Sequence, residues 1–268
     1  MQTNKYIFFI GTGRTGTEYL ASLFVKHAVD CYAVHEPNYL IKWLSNTYIA
    51  GKTPQWILVT FLRFYKFWID LKLLFARKGT YIQSDPWLIG FVGLIQKIFP
   101  DAICIHIVRD PLTYIPSHLN RAYKTRFVGL LRDLIPYWKL RGFHTGAFTR
   151  KQWKAVSQEE RMAWNWTFHN QYIESFQLNP ERYQLFRYED LFDGTGAGIQ
   201  TLSTFCDISM KQDVDLKMQL KNRINTADFK FSPCDQWPEQ AYKNVVETCQ
   251  RFAHCYGYSL NRKNTGLN

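Results

Sequence analysis

The chain has 268 residues, which is enough for one sizeable α/β domain whose core needs no disulfide bond or metal to hold it together. Aromatic residues make up 17% of the sequence, a content that suits a folded protein and argues against disorder. The formal net charge of +11 favours anionic partners, whether nucleotides, sulfated or phosphorylated substrates, nucleic acid or an anionic membrane surface, and does not choose among them.

Residues 6–10 form a short continuous apolar run, which predicts a strand buried on both faces. A glycine turn follows, and then a helix is predicted at residues 17–27. A strand, a glycine turn and a helix in this order open a parallel α/β sheet, which binds its ligands at the carboxyl ends of its strands. Further strands are predicted at residues 30–35, 80–83, 102–108 and 183–187. Further helices are predicted at residues 54–77, 87–99, from about 112, and at 158–178, 199–206 and 239–256.

We interpret residues 1–268 as one domain with a central parallel sheet flanked by helices, carrying helical inserts on the substrate side at about 54–78 and 123–156. The first insert interleaves aromatic and basic residues, and it could cap an apolar acceptor or rest on an anionic membrane surface. Aromatic stripes at helical spacing normally face a core, however. The second insert is basic and could cover an acidic or glycan acceptor, or form a solvated surface.

The spacing of the cysteines and the sequence of the apolar stretches help to predict the cellular compartment of the protein. The six cysteines are scattered with no C-x-x-C pair, so the sequence predicts neither a zinc site nor a disulfide framework, and no metal. Residues 6–10 are too short for the apolar core of a signal peptide and are followed by glycine. Four charged residues interrupt the hydrophobic stretch at 57–75, which makes it a poor membrane-spanning helix. We expect a cytoplasmic protein.

The turn after the first strand has the composition of a phosphate site. Its glycines let the backbone turn sharply and approach a ligand closely, and its amides join the free N–H groups of the following helix to make an anion cradle. Arg14 adds a permanent positive charge, and two threonine hydroxyls add donors. The residues expected at the phosphate are Gly13, Arg14, Thr15, Gly16, Thr17 and Glu18.

The turn alone leaves the phosphate compound open. Gly11, Gly13 and Gly16 satisfy the G-x-G-x-x-G dinucleotide pattern, and Glu36 lies about 20 residues beyond, near where a ribose-binding acid belongs. An NAD(P)-dependent oxidoreductase is therefore one interpretation. An ATP or GTP P-loop fits worse, because Gly16 and not lysine precedes Thr17.

A second cluster discriminates between these interpretations. Arg109 comes at the end of a buried strand, and Ser117 follows eight residues later, two turns into the next helix. Together they can converge on one more phosphate, a role that suits the planar fork of arginine. A nicotinamide enzyme has no need of such a pair on a neighbouring strand.

Arg14 lies in the segment Gly-Arg-Thr-Gly-Thr, and Arg109 and Ser117 lie in Val-Arg-Asp-Pro-Leu-x-x-x-x-Ser. These segments resemble the 5′- and 3′-phosphate loops of the sulfotransferases that use the donor PAPS (3′-phosphoadenosine 5′-phosphosulfate), and they imply that family's P-loop-like fold. Tyr188, in a Tyr-Glu-Asp segment after a strand, resembles the tyrosine that lies near adenine in the family. The 225–237 loop and the end of the closing helix also resemble bacterial members.

The resemblance implies in-line transfer of a sulfuryl group from PAPS to an acceptor hydroxyl or amine on a carbohydrate, glycolipid or small natural product, with PAP (adenosine 3′,5′-bisphosphate) as the leaving group. Val-His-Glu-Pro resembles the Glu-Pro segment of heparan-type sulfotransferases, so we assign the base to Glu36, with His35 as second choice. Arg14 would stabilise the leaving group, although the family often has lysine there. The Lys-Thr-His segment of many cytosolic members is missing.

Other interpretations stay open at this stage. Glu36 could be a surface-turn carboxylate, and Tyr188 could pack in the core. Lys230 could reach the 3′-phosphate from the late loop or be solvated. The net charge alone would also fit a non-enzymatic nucleotide- or nucleic-acid-binding protein, although we expect no specific nucleic acid partner. The acceptor and the oligomeric state are not indicated by the sequence.

Overall fold

The structure is a computed structural model, and it describes residues 4–124, 134–212, 214–221 and 233–262. The five strands described form one sheet in which every pair of neighbours is parallel, in the order β2-β3-β1-β4-β5. Their bounds are Lys5–Gly11 for β1, Cys31–His35 for β2, Thr80–Ser84 for β3, Ile103–Val108 for β4 and Tyr183–Arg187 for β5.

Strand β1 lies at the centre of the sheet and decides where ligands can bind. All of its residues except Lys5 are buried, as its uninterrupted apolar sequence predicts. Phe9 of β1 pairs with Ser84 of β3, and Gly11 pairs with Ile107 of β4. This register brings the carboxyl ends of β3, β1 and β4 to one edge, and the loops that follow those strands meet there.

Helices cover both faces of the sheet. The first seven are α1 (Thr17–His27), α2 (Tyr39–Ile49), α3 (Gln55–Ala76), α4 (Val92–Ile98), α5 (Pro111–Lys124), α6 (Arg150–Ala155) and α7 (Gln158–Glu174). The others are α8 (Tyr188–Leu191), α9 (Ala197–Phe205), α10 (Leu216–Lys221) and α11 (Glu239–Cys255). Short 3₁₀ segments lie at Pro86–Phe91, Gly142–His144, Pro180–Arg182 and Cys234–Gln236.

The alternation of side chains along β1 divides the core in two. Tyr6, Phe8 and Ile10 face the cluster that includes α3 and α4, whereas Ile7 and Phe9 face the cluster that includes α1 and α9. A third cluster joins α5, α7 and α11 beside the end of β4. The α/β fold with a central parallel sheet is as the sequence predicts.

Several predicted elements need correction. Helix α2 was not predicted; its first turn is capped by Asn38, whose side chain accepts a hydrogen bond of 2.8 Å from the N–H of Leu40. The helix predicted at 87–99 is instead the 3₁₀ segment Pro86–Phe91 followed by α4, and the helix predicted at 158–178 ends at Glu174. Within the described part of the second insert, only the end of α5 and helix α6 are α-helical.

The aromatic residues of α3 do not all face the core. Tyr65 is buried, but Phe64, Phe67 and Trp68 are exposed, so the expectation that such a stripe packs inward is wrong for these three. Among the residues that the structure describes, no helix combines the length and the apolar composition that crossing a bilayer would require.

Candidate active site

The turn between β1 and α1 has a backbone that glycine alone adopts easily. Gly13 and Gly16 both have φ of +75°, and Arg14 between them is also left-handed, at +54°. A Cβ at Gly16 would lie 2.3 Å from the ring of Phe192, so steric space as well as φ requires glycine there. The sequence therefore folds into a tight cradle directly at the carboxyl end of the central strand.

The threonines of the turn lie inside the cradle, and Glu18 lies outside it. Thr15 and Thr17 are buried, and the Oγ1 of Thr15 has no hydrogen-bond partner. A buried hydroxyl without a partner is costly, and an anion oxygen seated in the turn would accept its hydrogen bond. The cradle thus fits a phosphate. The side chain of Glu18 is exposed. Its ionised carboxylate only accepts hydrogen bonds, so it offers no donor to an anion.

The side chains of Arg14, Arg109 and Ser117 lie close together. The Nε of Arg14 donates to the Oγ of Ser117 at 3.3 Å, and an Nη1 of Arg109 lies 3.5 Å from the same oxygen. Arg109 also donates to the carbonyl oxygen of Arg14 at 2.9 Å and through Nε to the Oγ1 of Thr113 at 3.1 Å. The glycine turn and the start of α5 therefore form one continuous cationic surface.

The guanidinium groups crowd one another. Burial lowers the pKa of Arg14 below its ordinary value, and the charges of Arg121 and Arg109 lower it further. Arginine stays protonated in proteins, so the lowered pKa expresses an electrostatic cost of holding these cations together. A bound anion would relieve that cost, which makes the cluster a site that favours negative charge.

Tyr188 and Glu189, at the end of β5, complete this side of the site. The guanidinium of Arg109 lies 4.4 Å from the centre of the Tyr188 ring, over its face. Glu189 accepts one hydrogen bond from the N–H of Asp110 at 3.1 Å and another from the hydroxyl of Tyr258 at 2.6 Å. Glu189 therefore holds the segment after β4 against β5, a role that the sequence did not predict.

The predicted base lies on the other side of the turn. Glu36 directly follows β2, has a left-handed φ of +41° and keeps about a third of its side chain exposed (34%). His35 is next to it, with its Nε2 3.6 Å from a Glu36 oxygen and its Nδ1 3.2 Å from the Oγ of Ser84. Strained left-handed backbone in a non-glycine residue is found preferentially at functional sites.

A second carboxyl group lies beside Glu36. Asp85 is 1% exposed, and its pKa is raised to about 7. Burial is the main cause, and the charge of Glu36 acts in the same direction. Its Oδ1 accepts from the N–H of Trp87 at 2.9 Å, and its Oδ2 accepts from the amide of Gln83 at 3.2 Å. Asp85 thus caps the 3₁₀ segment Pro86–Phe91, and its carboxyl group is partly protonated near neutral pH.

Lys42 was not predicted as part of this region, because it lies on the unpredicted helix α2. It is 8% exposed, and its Nζ lies 3.9 Å from the centre of the Trp87 ring and 4.9 Å from that of Trp138. Its charge lowers the pKa of Asp85 and of His118. A buried ammonium between two indole faces places positive charge beside the carboxyl groups.

His118 is influenced by the charges of both Arg14 and Lys42. It follows Ser117 in the sequence, a proximity that could have singled it out, and its buried Nδ1 has no hydrogen-bond partner. Burial lowers its pKa to about 4, and the charges of Arg14 and Lys42 act in the same direction. The imidazole is therefore neutral near pH 7, with one ring nitrogen available.

Two further predictions concern Lys230 and the absence of a metal. Lys230 lies outside the described residues. In the described ranges no three His, Cys, Asp or Glu side chains come together as a metal site would require.

The chain is similar to known proteins in both sequence and fold. A family model described as the sulfotransferase family matches residues 29–212. The fold is similar to the sulfotransferase domain from the curacin biosynthetic pathway, with a TM-score of 0.56 and 15% identity over 97% of this chain and 100% of that one. It is also similar to a sulfotransferase from Alicyclobacillus acidocaldarius, with a TM-score of 0.50 and 11% identity over 97% of both chains. A comparison with curated protein sequences found no match.

Proposed function

The chain belongs to the sulfotransferase family, and from this premise we propose that it transfers a sulfuryl group from PAPS to an acceptor hydroxyl or amine. Sulfotransfer as such follows from the family; the donor and the roles of individual residues are the proposal. The observation that carries it is the convergence of Arg14 and Arg109 on the hydroxyl of Ser117, at 3.3 and 3.5 Å. It joins a phosphate cradle to a second cationic position on the neighbouring strand.

In this proposal each element of the cationic surface has one task. Arg14 and the amide groups of the glycine turn hold the 5′ side of PAPS, and Arg109 with Ser117 holds its 3′-phosphate. The unpartnered hydroxyl of Thr15 supplies one further donor to the 5′ side. Tyr188, whose ring already lies against Arg109, supports the adenine. When bound, PAPS supplies the sulfuryl group.

The chain's own residues handle the charges of the transfer. The acceptor oxygen or nitrogen forms a bond to sulfur as the bond between sulfur and the bridging phosphate oxygen breaks, and the electron pair remains on that oxygen. Arg14 stabilises the negative charge that develops there. The acceptor proton passes to the Glu36 carboxylate, with His35 the second choice. The charges of Glu36 and Lys42 act in opposite directions on the neighbouring Asp85, since Glu36 raises its pKa and Lys42 lowers it.

The acceptor side contains a cavity suited to a polar ring. It has a volume of about 270 Å³ and is lined by residues 134–139, 141, 143, 144 and 150. Trp138 belongs both to this lining and to the surroundings of Lys42, and its ring is the contact that joins the cavity to the buried ammonium. Aromatic faces such as Tyr137 and Phe143 stack on sugar rings, and the basic residues Lys139 and Arg141 attract acidic groups. We therefore favour a carbohydrate or glycolipid acceptor.

The main rival is an NAD(P)-dependent oxidoreductase that uses the same glycines. It gives no task to the pair Arg109 and Ser117, whereas the proposal uses this pair for the 3′-phosphate. A nucleic-acid-binding protein would use the surface charge, but it would not need a cradle with an unpartnered buried hydroxyl. These contrasts favour the sulfate donor over both rivals.

Thermal shift assays with PAP, NAD and ATP test the donor directly. We expect PAP to raise the melting temperature at concentrations where NAD and ATP have little effect, because a ligand that binds the folded state stabilises it. Stabilisation by NAD without stabilisation by PAP would overturn the proposal. Labelled PAPS with a panel of sugars, glycolipids and phenols then identifies the acceptor through transfer of the label.

A further inference from the structure

Helix α3 turns an apolar face to solvent. Its buried side consists of Leu58, Leu62, Tyr65, Ile69 and Leu73, which pack into the core. Its outward side carries six large apolar residues whose exposed fractions run from 49% to 81%. These are Trp56, Phe64, Phe67, Trp68, Leu74 and Phe75. A surface helix normally shows polar residues on this side, so we expect the exposed apolar face to bind a partner.

The exposed residues form one continuous stripe. At 100° per residue, positions 56, 64, 67, 68, 74 and 75 fall within about 120° of one another on the helix circumference. The helix has 22 residues and is therefore about 33 Å long. The stripe runs from its first turn to its last, and we call it the ridge.

Basic residues border the stripe. Residues 55–78 contain five basic residues, Arg63, Lys66, Lys72, Arg77 and Lys78, and one acidic residue, Asp70. Asp70 is already engaged, because it accepts hydrogen bonds from Asn4, Tyr6 and Lys66. Lys66 and Asp70 offset each other as an ion pair, and the other four basic residues leave a positive charge beside the stripe.

We propose that the outward face of α3 binds the surface of an anionic membrane, with the helix lying in the plane of the interface. Tryptophan and phenylalanine are the residues that enter the boundary between headgroups and acyl chains, and lysine or arginine beside them attracts anionic lipids. The chain thus has both components that binding of this kind requires. This inference does not depend on the donor or the acceptor.

A second copy of the chain fits the face less well. A two-fold contact would bring the basic borders of two ridges together in a molecule whose formal net charge is already +11. One helix also offers a narrow surface. About 33 Å of length and 10 Å of width give roughly 330 Å² per partner, well below the 800 Å² of a standard stable interface.

The ridge is also held rigidly before any contact with lipid. Asp70 joins α3 to the first strand through Asn4 and Tyr6, and Lys66 lies 2.7 Å from its Oδ2. Its buried side is part of the main core. Binding then needs no refolding, so little ordering entropy opposes it.

Co-sedimentation of the full chain with lipid vesicles tests the proposal. We expect binding to vesicles of phosphatidylglycerol and phosphatidylcholine, weaker binding to phosphatidylcholine alone, and a decrease with added salt. Combining Phe64→Ser, Phe67→Ser and Trp68→Ser should weaken binding at least tenfold. The matched control combines Val25→Ser with Met218→Ser, which removes exposed apolar side chains elsewhere and should leave binding unchanged.

A charge variant tests the proposal without touching the aromatic side chains. Arg63→Gln with Lys72→Gln should reduce binding to the anionic vesicles and leave the weak binding to phosphatidylcholine as it is. Three outcomes would overturn the proposal: no binding of the wild type to anionic vesicles, equal binding by the folded triple variant, or a wild-type dimer in solution that the triple variant converts to monomer. The last would assign the face to a second copy.

Discussion

The Nε of Arg14 lies 3.3 Å from the Oγ of Ser117, although 103 residues separate them in the chain. The contact exists because Arg14 follows β1 and Ser117 lies on the helix that follows β4, and these strands are paired neighbours with Gly11 opposite Ile107. The proposed donor site is therefore a consequence of strand register. A slip of one residue between β1 and β4 would turn every side chain of one strand to the other face, and it would separate Arg14 from Ser117.

The first prediction concerns Arg109. Arg109→Ala should weaken PAP binding by about 1.5–3 kcal/mol, or roughly 10- to 150-fold, because it removes a charge-assisted contact. Calorimetry with PAP and with AMP, which lacks the 3′-phosphate, checks the assignment. The wild type should prefer PAP, and the variant should lose that preference while keeping most of its AMP affinity.

Arg63→Ala on the exposed surface of α3 is the control, and it should leave both nucleotide affinities unchanged. An Arg109→Ala variant that still prefers PAP to AMP as strongly as the wild type would remove Arg109 from the 3′-phosphate site.

The second prediction compares two glycines with similar backbone angles. Gly16 has φ of +75° and would place a Cβ 2.3 Å from Phe192, whereas Gly51 has φ of +68° and nothing within 4 Å. Gly51→Ala should lower the free energy of unfolding by about 1–2 kcal/mol, the cost of a left-handed alanine. Gly16→Ala should cost about 1–3 kcal/mol more, because the ring of Phe192 must also move. Urea denaturation measures both, and equal losses would contradict the steric argument.

The third prediction concerns the base. Glu36→Gln should lower kcat about 10²- to 10⁴-fold, because it removes general base catalysis, and should leave PAP affinity within twofold. His35→Ala is the parallel variant, and we expect a smaller loss from it. Single-turnover assays with labelled PAPS and an identified acceptor provide the measurement. A fully active Glu36→Gln variant together with an inactive His35→Ala variant would transfer the role to the histidine.

The fourth prediction follows from the raised pKa of Asp85, about 7 in the folded protein against 3.8 as the ordinary value. The folded state binds the proton more tightly, so this group's contribution to stability is fully present below pH 4. It declines as pH rises towards 7 and is constant above that. Asp85→Asn removes this dependence. Urea denaturation from pH 4 to 8 should show the wild type losing stability relative to the variant, by at most about 1.4 kcal/mol per pH unit. Parallel curves would contradict the assignment.

Much of the fold could be predicted because the relevant signals are local. A continuous apolar run such as residues 6–10 specifies a buried strand, and Pro111 after Asp110 marks the start of a helix. The convergence of Arg109 and Ser117 was also predictable, because an arginine at a strand end and a hydroxyl two turns into the next helix lie on the same edge of the sheet.

The remaining features depend on packing that no local pattern records. The raised pKa of Asp85 arises from its burial, and Lys42 lies against Trp87 and Trp138, which are distant from it in the sequence. The outward direction of Phe64 and Trp68 could not be predicted either. The spacing of aromatic residues identifies a helix face but does not say which face meets the sheet.

The position of β1 between β3 and β4 also affects how the chain is made. The strand that carries the phosphate cradle leaves the ribosome before the other four described strands, and its first neighbour, Thr80–Ser84, is synthesised about 70 residues later. At 5–20 residues per second, that is a delay of roughly 4–15 s. During this interval the apolar segment has no partner strand, and it gains its second neighbour only after Val108. Translation speed through this stretch should therefore influence how much of the nascent chain escapes aggregation.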